Sequence, residues 1–233
     1  MSTIVQNLQA VDASIVAAAD AAGRSRKDVQ LLAVSKTFPA EAVLEAAAAG
    51  QYAFGENYLQ EALDKIAAVS HALPAAPIEW HFIGPIQSNK TRPIAAGFAW
   101  VHTVERLKIA QRLSEQRPPQ LGPLNVCLQV NISGEASKSG VTPEALPELA
   151  RAVAQLPHLR LRGLMAIPEA QARVDMQRAA FRQLRVLYER LRADGLALDT
   201  LSMGMSADLG AAIAEGATIV RVGSAIFGSR HYE

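Results

Sequence analysis

Apolar positions recur along the chain in two alternating rhythms. Over residues 2–22, Ile4, Val5, Leu8, Val11, Ile15 and Val16 fall at helical spacing, and Gly23 closes the segment. After it, short apolar runs of strand length alternate with amphipathic stretches. The strand-like runs are 29–35, "YAFGE", "IEWHFIG", "FAWVHTV", "LNVCLQVNI", "LRLRGLMAI", "LDTLSMG" and "ATIVRVG". Helical rhythm returns between them over 39–50, 57–69, 88–96, 105–115, 143–156, 174–193 and 207–214. Eight strands, each followed by a helix or a short terminal turn, predict parallel strands with crossover helices. A doubly wound open sheet uses the same local signals. The unit count favours a closed barrel, which typically takes about 250 residues. The expected fold is α/β: a single (β/α)8 TIM barrel domain over residues 1–233 with an extra N-terminal helix. Pro118 and Pro119, in "RPPQLGP", read as one loop rather than a domain boundary.

Composition narrows the function. Half of the 233 residues are hydrophobic and 19% are charged, enough for a sizeable core. A net charge of +1 gives no support to a nucleic-acid or membrane-surface role. The single Cys127 excludes an intramolecular disulfide framework and a Cys-rich metal site, and it fits a reducing cytoplasm. The start "MSTIVQNLQAVDAS" has no basic region leading into an apolar block, so a signal peptide is not expected. No run approaches the roughly 18 apolar residues of a membrane span.

In such a barrel, chemistry sits at the C-terminal ends of the strands. Those ends carry, in order, Lys36; Glu56 and Asn57; Gly84; His102 and Thr103; Asn131; Met165; "SMGMSADLG"; and Arg221, Gly223 and Ser224. Loops after the seventh and eighth strands often form a phosphate site from backbone N–H groups. Ser206 opens the helix expected at 207–214, where it caps or also donates to an anion. Gly223 and Ser224 form a second turn, where glycine lets the backbone approach a ligand. Either feature alone reads as a cap or a turn; both at one end of the barrel point to an anion. Lys36 sits where the first strand emerges. Partial desolvation there lowers an ammonium pKa, and a neutral amine attacks an aldehyde. An amine with a phosphate site across the barrel suggests pyridoxal 5′-phosphate. Arg221 lies two residues before Gly223, on the same face of the last strand. It could pair with the phosphate or face the pyridine nitrogen. In the second place it keeps that nitrogen unprotonated and the ring a poorer electron sink.

Five motifs in order resemble those of the pyridoxal phosphate homeostasis protein family (the YggS or PROSC family). They are "LLAVSKT", "FGENYLQE", "WHFIGPIQSNK", "VNISGEASKSG" and "LSMGMSADLGAAIAEGATIVRVGSAIFG". The resemblance covers nearly the whole chain. It implies the barrel of alanine racemase, the fold type III of pyridoxal-phosphate proteins. It implies a Schiff-base role for Lys36, phosphate contacts at Ser206, Gly223 and Ser224, and a ring-nitrogen or phosphate role for Arg221. Asn57, Met203 and Met205 fall on positions expected to line the cofactor. The segment 87–90 reads as a cofactor-edge or partner surface, where Lys90 holds a second phosphate, or as capping by Ser88. "SGEASKSG" reads as a lid with Lys138 or as a solvated loop.

Two function classes compete. One is a carrier that binds pyridoxal 5′-phosphate covalently at Lys36 and serves vitamin B6 and amino-acid homeostasis in the cytoplasm. It would act as a monomer, with apo-enzymes that need the cofactor as recipients. The other is a pyridoxal-phosphate-dependent amino-acid racemase. A racemase needs an acid/base group on each face of the Schiff base. In the racemases the second is a tyrosine from an added β domain, which is not expected after the eighth strand of this chain. Tyr52 and Tyr188 read as core or helix-face residues, Tyr58 lies near the mouth and Tyr232 near the end. The expected protein is therefore not an enzyme. A metal-dependent hydrolase is disfavoured because His81 and His102 stand apart from carboxylates in the strand-end series.

Overall fold

Leu32 pairs in register with Arg221, and that pairing of the first strand with the last closes a ring. The computed structural model describes residues 2–134 and 139–229. Its strands are β1 (Gln30–Val34), β2 (Ala53–Glu56), β3 (Glu79–Phe82), β4 (Trp100–Val104), β5 (Leu124–Gln129), β6 (Leu159–Met165), β7 (Thr200–Ser202) and β8 (Ile219–Val222). All neighbours are parallel, in the order β1 to β8 around a closed barrel. The alternating rhythm therefore marks a (β/α)8 barrel rather than an open sheet. Helices α2 (Ala40–Ala48), α3 (Leu59–Ala72), α4 (Thr91–Gly97), α5 (Leu107–Gln116), α6 (Leu146–Ala154), α7 (Val174–Ala193) and α8 (Leu209–Ala214) each follow a strand. A single-turn helix, α9 (Ser224–Phe227), follows β8.

The N-terminal helix α1 (Thr3–Ala21) buries Leu8, Val11, Ile15 and Ala19, the stripe its spacing predicts. It packs against α2, α8 and α9, and Asn7 Nδ2 donates to Ile226 O at 2.8 Å. That contact ties the start of the chain to the turn after β8.

Two cores result. The larger fills the space between barrel and helices, with Phe54, Phe82, Phe98 and Phe181 fully or almost fully buried. The smaller fills the barrel axis with Leu32, Ala53, Trp100, Cys127, Met165 and Ile219. A glycine on β6 lets the backbone of β7 come close. A Cβ on Gly163 would stand 1.7 Å from Thr200 O.

Several helices begin later than their apolar rhythm suggests. Asn57 and Tyr58 stay out of α3, with Tyr58 extended as its N-cap. Residues 88–90 form a 3₁₀ turn before α4. At the seventh loop, Met205 N–H donates to Asp208 Oδ1 at 2.6 Å, which delays α8 to Leu209. Ser206 is therefore a loop residue and not the cap of α8; that position belongs to Asp208.

Candidate functional site

Alternation along β1 turns Leu32 and Val34 inward, and Lys36 continues the series beyond the strand end. Val34 and Lys36 both line a cavity of about 230 Å³ at the C-terminal face. Asn57, Ile83, Met165, Ile167, Met205, Ser206, Arg221, Gly223 and Ser224 complete its wall. The structure thus brings seven of the eight expected residues together. Met203 stays outside. On β7, Ser202 points into the barrel, so Met203 points out and is fully buried in the core beneath the helices. Met165, from the end of β6, takes the cavity position instead.

Lys36 and the turn at Gly223 prove to be neighbours rather than opposites. Ala33 pairs with Val222, so the register carries Val34 level with Gly223. The backbone approach is close: a Cβ on Gly223 would stand 3.3 Å from Val34 O.

The turn that presents Lys36 is held from both sides. Ser35 is fully buried, and its Oγ donates to Glu56 Oε1 at 2.6 Å. Thr37 adopts φ 68°, a left-handed conformation costly for a β-branched residue. Its N–H donates to Glu61 Oε1 at 2.6 Å. Lys65, buried under the turn, donates to Ser35 O at 2.8 Å, Glu56 Oε1 at 2.6 Å and Glu61 Oε1 at 2.9 Å. Burial pushes the Glu56 carboxyl above its usual range, and the Lys65 ammonium opposes that.

Asn57 is set by a close approach of backbones. A Cβ on Gly84 would lie 2.1 Å from Asn57 O. Gly84 O in turn accepts from Thr103 Oγ1 at 2.7 Å. Asn57 Oδ1 is buried with no partner among the described residues.

Arg221 forms the floor. It is 5% exposed, and donates from NH1 to Ser202 Oγ at 2.8 Å and from NH2 to Ala166 O at 3.1 Å. Burial lowers its pKa to about 10, which still leaves the guanidinium charged at neutral pH. Ser206 and Ser224 sit at the exposed rim. In α9 the Ile226 and Phe227 amides donate to Gly223 O, at 2.9 and 3.0 Å, which leaves the Ser224 and Ala225 amides at its start for a ligand. The donor set is therefore a cation on the floor, hydroxyls and amides at the rim, and an amine beside them. It fits pyridoxal 5′-phosphate, and the orphaned Asn57 amide leaves one more polar contact for it. Ile83, Met165 and Ile167 supply apolar wall for a flat ring.

Sequence reasoning missed Val34, Ile83 and Ile167, because an apolar residue at a strand end looks like any core residue. It also set His81 and His102 apart from carboxylates. In the barrel His81 Nε2 lies 2.9 Å from Glu79 Oε1, and the two imidazoles meet at 2.9 Å. Among the described residues, no group of three or more His, Cys, Asp or Glu is arranged to hold a metal. Lys90 is exposed and lines no part of this cavity. Lys138 and the lid expected around it, and Tyr232, lie outside the described residues. Cys127 is fully buried, and burial pushes its thiol up to about 12. No described helix is long and apolar enough to cross a membrane.

The profile of the family "Alanine racemase, N-terminal domain" matches residues 6–231. The pyridoxal phosphate homeostasis protein of Pseudomonas aeruginosa is 66% identical over 232 residues, covering 100% of this chain and 98% of the relative. PipY of Synechococcus elongatus PCC7942, solved with pyridoxal phosphate bound, is 35% identical, with a TM-score of 0.83 over 97% of this chain and all of PipY. Its structure without the cofactor superposes with a TM-score of 0.85 at 36% identity. Alanine racemase of Corynebacterium glutamicum shares the fold at 20% identity, with a TM-score of 0.69. This chain covers 98% of its own length in that match but only 60% of the racemase. The full-length identities place this chain in the pyridoxal phosphate homeostasis protein family.

Proposed function

We propose that this chain binds pyridoxal 5′-phosphate in the cavity above Arg221 and carries it as a Schiff base on Lys36. One observation supports this most: Lys36, Asn57, Met205, Ser206, Arg221, Gly223 and Ser224 converge on one cavity of about 230 Å³. When bound, the cofactor supplies an aldehyde that condenses with an amine, releasing water, and an electron-withdrawing ring. Ser206, Ser224 and the amides of the last turn hold the phosphate at the rim. Arg221 lies two residues deeper on its strand than Gly223, roughly 6–7 Å at ordinary strand rise. That depth supports a place for its guanidinium beneath the phosphate, toward the ring nitrogen. A permanent cation there would disfavour protonation of that nitrogen and so weaken the ring as an electron sink. Residues 1–233 work as one barrel unit in this reading.

The role is that of a cytoplasmic carrier, a monomer that serves cofactor and amino-acid homeostasis by delivering pyridoxal 5′-phosphate to apo-enzymes. Racemisation needs a second acid/base group facing Lys36. Among the described residues no tyrosine lines the cavity. Tyr52 and Tyr58 are 42% and 52% exposed, and Tyr188 is committed to Leu198 O. The test is to load purified protein with the cofactor, then measure its release to an apo-enzyme and the racemisation of L-alanine. Transfer without racemisation supports the carrier. Turnover of alanine at about 1 per second or faster, an ordinary enzymatic rate, would contradict it.

A further inference from the structure

A chain of hydrogen bonds crosses the barrel beneath the cavity. Arg221 NH1 donates to Ser202 Oγ at 2.8 Å, and Ser202 Oγ lies 2.8 Å from His102 Nδ1. His102 Nε2 lies 2.9 Å from His81 Nδ1, and His81 Nε2 lies 2.9 Å from Glu79 Oε1. Ser202, His102 and His81 are fully buried. The Glu79 side chain is 40% exposed. It opens into a separate cavity of about 500 Å³ on the N-terminal face, beside Arg26, Gln30 and Gln51. None of Ser202, His102, His81 and Glu79 lines the cofactor cavity.

The two ends, with the need to satisfy the buried Ser202 hydroxyl, set the protons between them. A guanidinium only donates, and a carboxylate only accepts. Ser202 accepts from Arg221, so its hydroxyl is free to donate to His102 Nδ1. His102 then donates from Nε2 to His81 Nδ1, and His81 donates from Nε2 to Glu79. One arrangement satisfies all four links and also uses the Ser202 hydroxyl proton: both imidazoles neutral, both with the proton on Nε2. An imidazolium at either histidine would need Ser202 Oγ to accept from His102 Nδ1 as well, which would leave the buried hydroxyl proton without an acceptor among the described residues. The charged and titratable groups around the pair agree with this. They are Glu79 on β3, Arg221 on β8, Cys127 on β5, and Arg162 on β6, whose guanidinium lies 4.6 Å over the Trp100 ring on β4. Gln30 on β1 adds a hydrogen bond to Glu79 at 3.4 Å. Burial lowers the pKa of both histidines, and the bond from His81 holds the Glu79 carboxyl below its usual range. His81 also stacks on Trp100, with ring planes 6° apart.

We propose that Ser202, His102, His81 and Glu79 are positioning residues that hold the Arg221 guanidinium in one orientation at the floor of the cofactor cavity, anchored by a carboxylate on the opposite face of the barrel. The directed chain stands on its own geometry; its effect on the cofactor rests on the function proposed above. Losing a link frees the guanidinium to turn and changes the field at the ring.

Two measurements test this separately. The first uses cofactor-free protein labelled with ¹⁵N and long-range ¹H–¹⁵N correlation of the imidazoles at neutral pH. Wild type should show His81 and His102 neutral, with the proton on Nε2. Glu79→Gln should preserve that pattern, because its amide oxygen accepts the same bond. Glu79→Leu should release the tautomer of His81. An imidazolium or an Nδ1 proton at either histidine of the wild type, or no change in Glu79→Leu, overturns the chain. The second adds pyridoxal 5′-phosphate and records the absorption maximum and dissociation constant. Ser202→Ala and Glu79→Leu should shift the band and weaken binding by up to about tenfold, the worth of one hydrogen bond. Glu79→Gln should restore both. Wild-type spectra and affinities in both disruptive variants overturn the positioning role. No binding by the wild type overturns the cavity reading and the cofactor effect with it, while the first measurement still decides the chain.

Discussion

Thr37 N–H donates to Glu61 Oε1 over 2.6 Å, and that same oxygen receives Lys65 Nζ at 2.9 Å. One carboxylate thus joins the strained turn after Lys36 to a buried ammonium from α3. The left-handed Thr37 is local strain beside the candidate site, and it persists because this network over-determines the turn.

Replacing Lys65 should therefore do two things at once. Lys65→Met leaves Glu56 buried without its cation, at a cost of about 3–5 kcal/mol. Burial already raises the Glu56 pKa against the pull of Lys65. Without Lys65 it rises further, so the folded state favours the protonated form. The penalty then grows as pH rises above the ordinary glutamate value and is smallest in acid. Urea denaturation across pH should show a deficit that widens toward neutral pH and narrows in Lys65→Met/Glu56→Gln. A deficit independent of pH would contradict this account.

The phosphate end yields a selective test. Ser206→Ala and Ser224→Ala each remove one hydroxyl from the exposed rim. Each should weaken pyridoxal 5′-phosphate binding by roughly 5–10-fold, about 1–1.4 kcal/mol. Binding of pyridoxal, which carries no phosphate, should not change. Titration calorimetry with both ligands separates a phosphate contact from general damage to the cavity, because damage would weaken both.

Much of this was legible along the chain, and the exceptions have physical causes. Strand and helix rhythms give the barrel, since core-facing residues must repeat at the period of their element. Lys36, Ser206, Arg221 and Ser224 stand out because polar groups at strand ends are chemically distinctive. Met203 and Met205 look alike in "SMGMS" and would share a face if the strand continued, but β7 ends at Ser202 and Gly204, at φ 95°, turns the chain, so Met203 stays in the outer core and Met205 reaches the cavity. Which face of β7 points inward depends on register with β6 and β8, which no local pattern contains. The His81–His102 contact joins positions 21 residues apart on adjacent strands. Lys65 reads as an ordinary charged position on α3, and only the packing of that helix against the end of β1 turns it into a support for Lys36. Ser206 lies in a turn that the Met205 N–H to Asp208 Oδ1 bond closes, so α8 starts after Asp208 and not after Ser206.

Acid sensitivity should concentrate on the far side of the barrel. Glu215 is buried beneath Arg178, Arg182 and Arg185 of α7. Burial alone would raise its pKa from 4.5, but hydrogen bonds from Arg182 and Arg178 and the charges of Arg182 and Arg185 outweigh it, so the value lies below the usual range. The stability this carboxylate contributes is complete above its unfolded pKa and is lost as pH falls through the folded one. As pH falls from 4.5 through the lower folded value, the wild type should lose more stability than Glu215→Gln, measured by urea denaturation at each pH. Parallel losses in the two proteins would show that the arginine cluster has no part in acid sensitivity.

The central claim is that Lys36 is the amine that holds the cofactor, and chemical trapping tests it most directly. Wild-type protein saturated with pyridoxal 5′-phosphate is reduced with borohydride, digested, and its peptides weighed. The account predicts one phosphopyridoxyl group on the peptide that carries Lys36, and loss of the visible absorption band in Lys36→Ala. A modification mainly on another lysine, or a band that survives undiminished in Lys36→Ala, would contradict it.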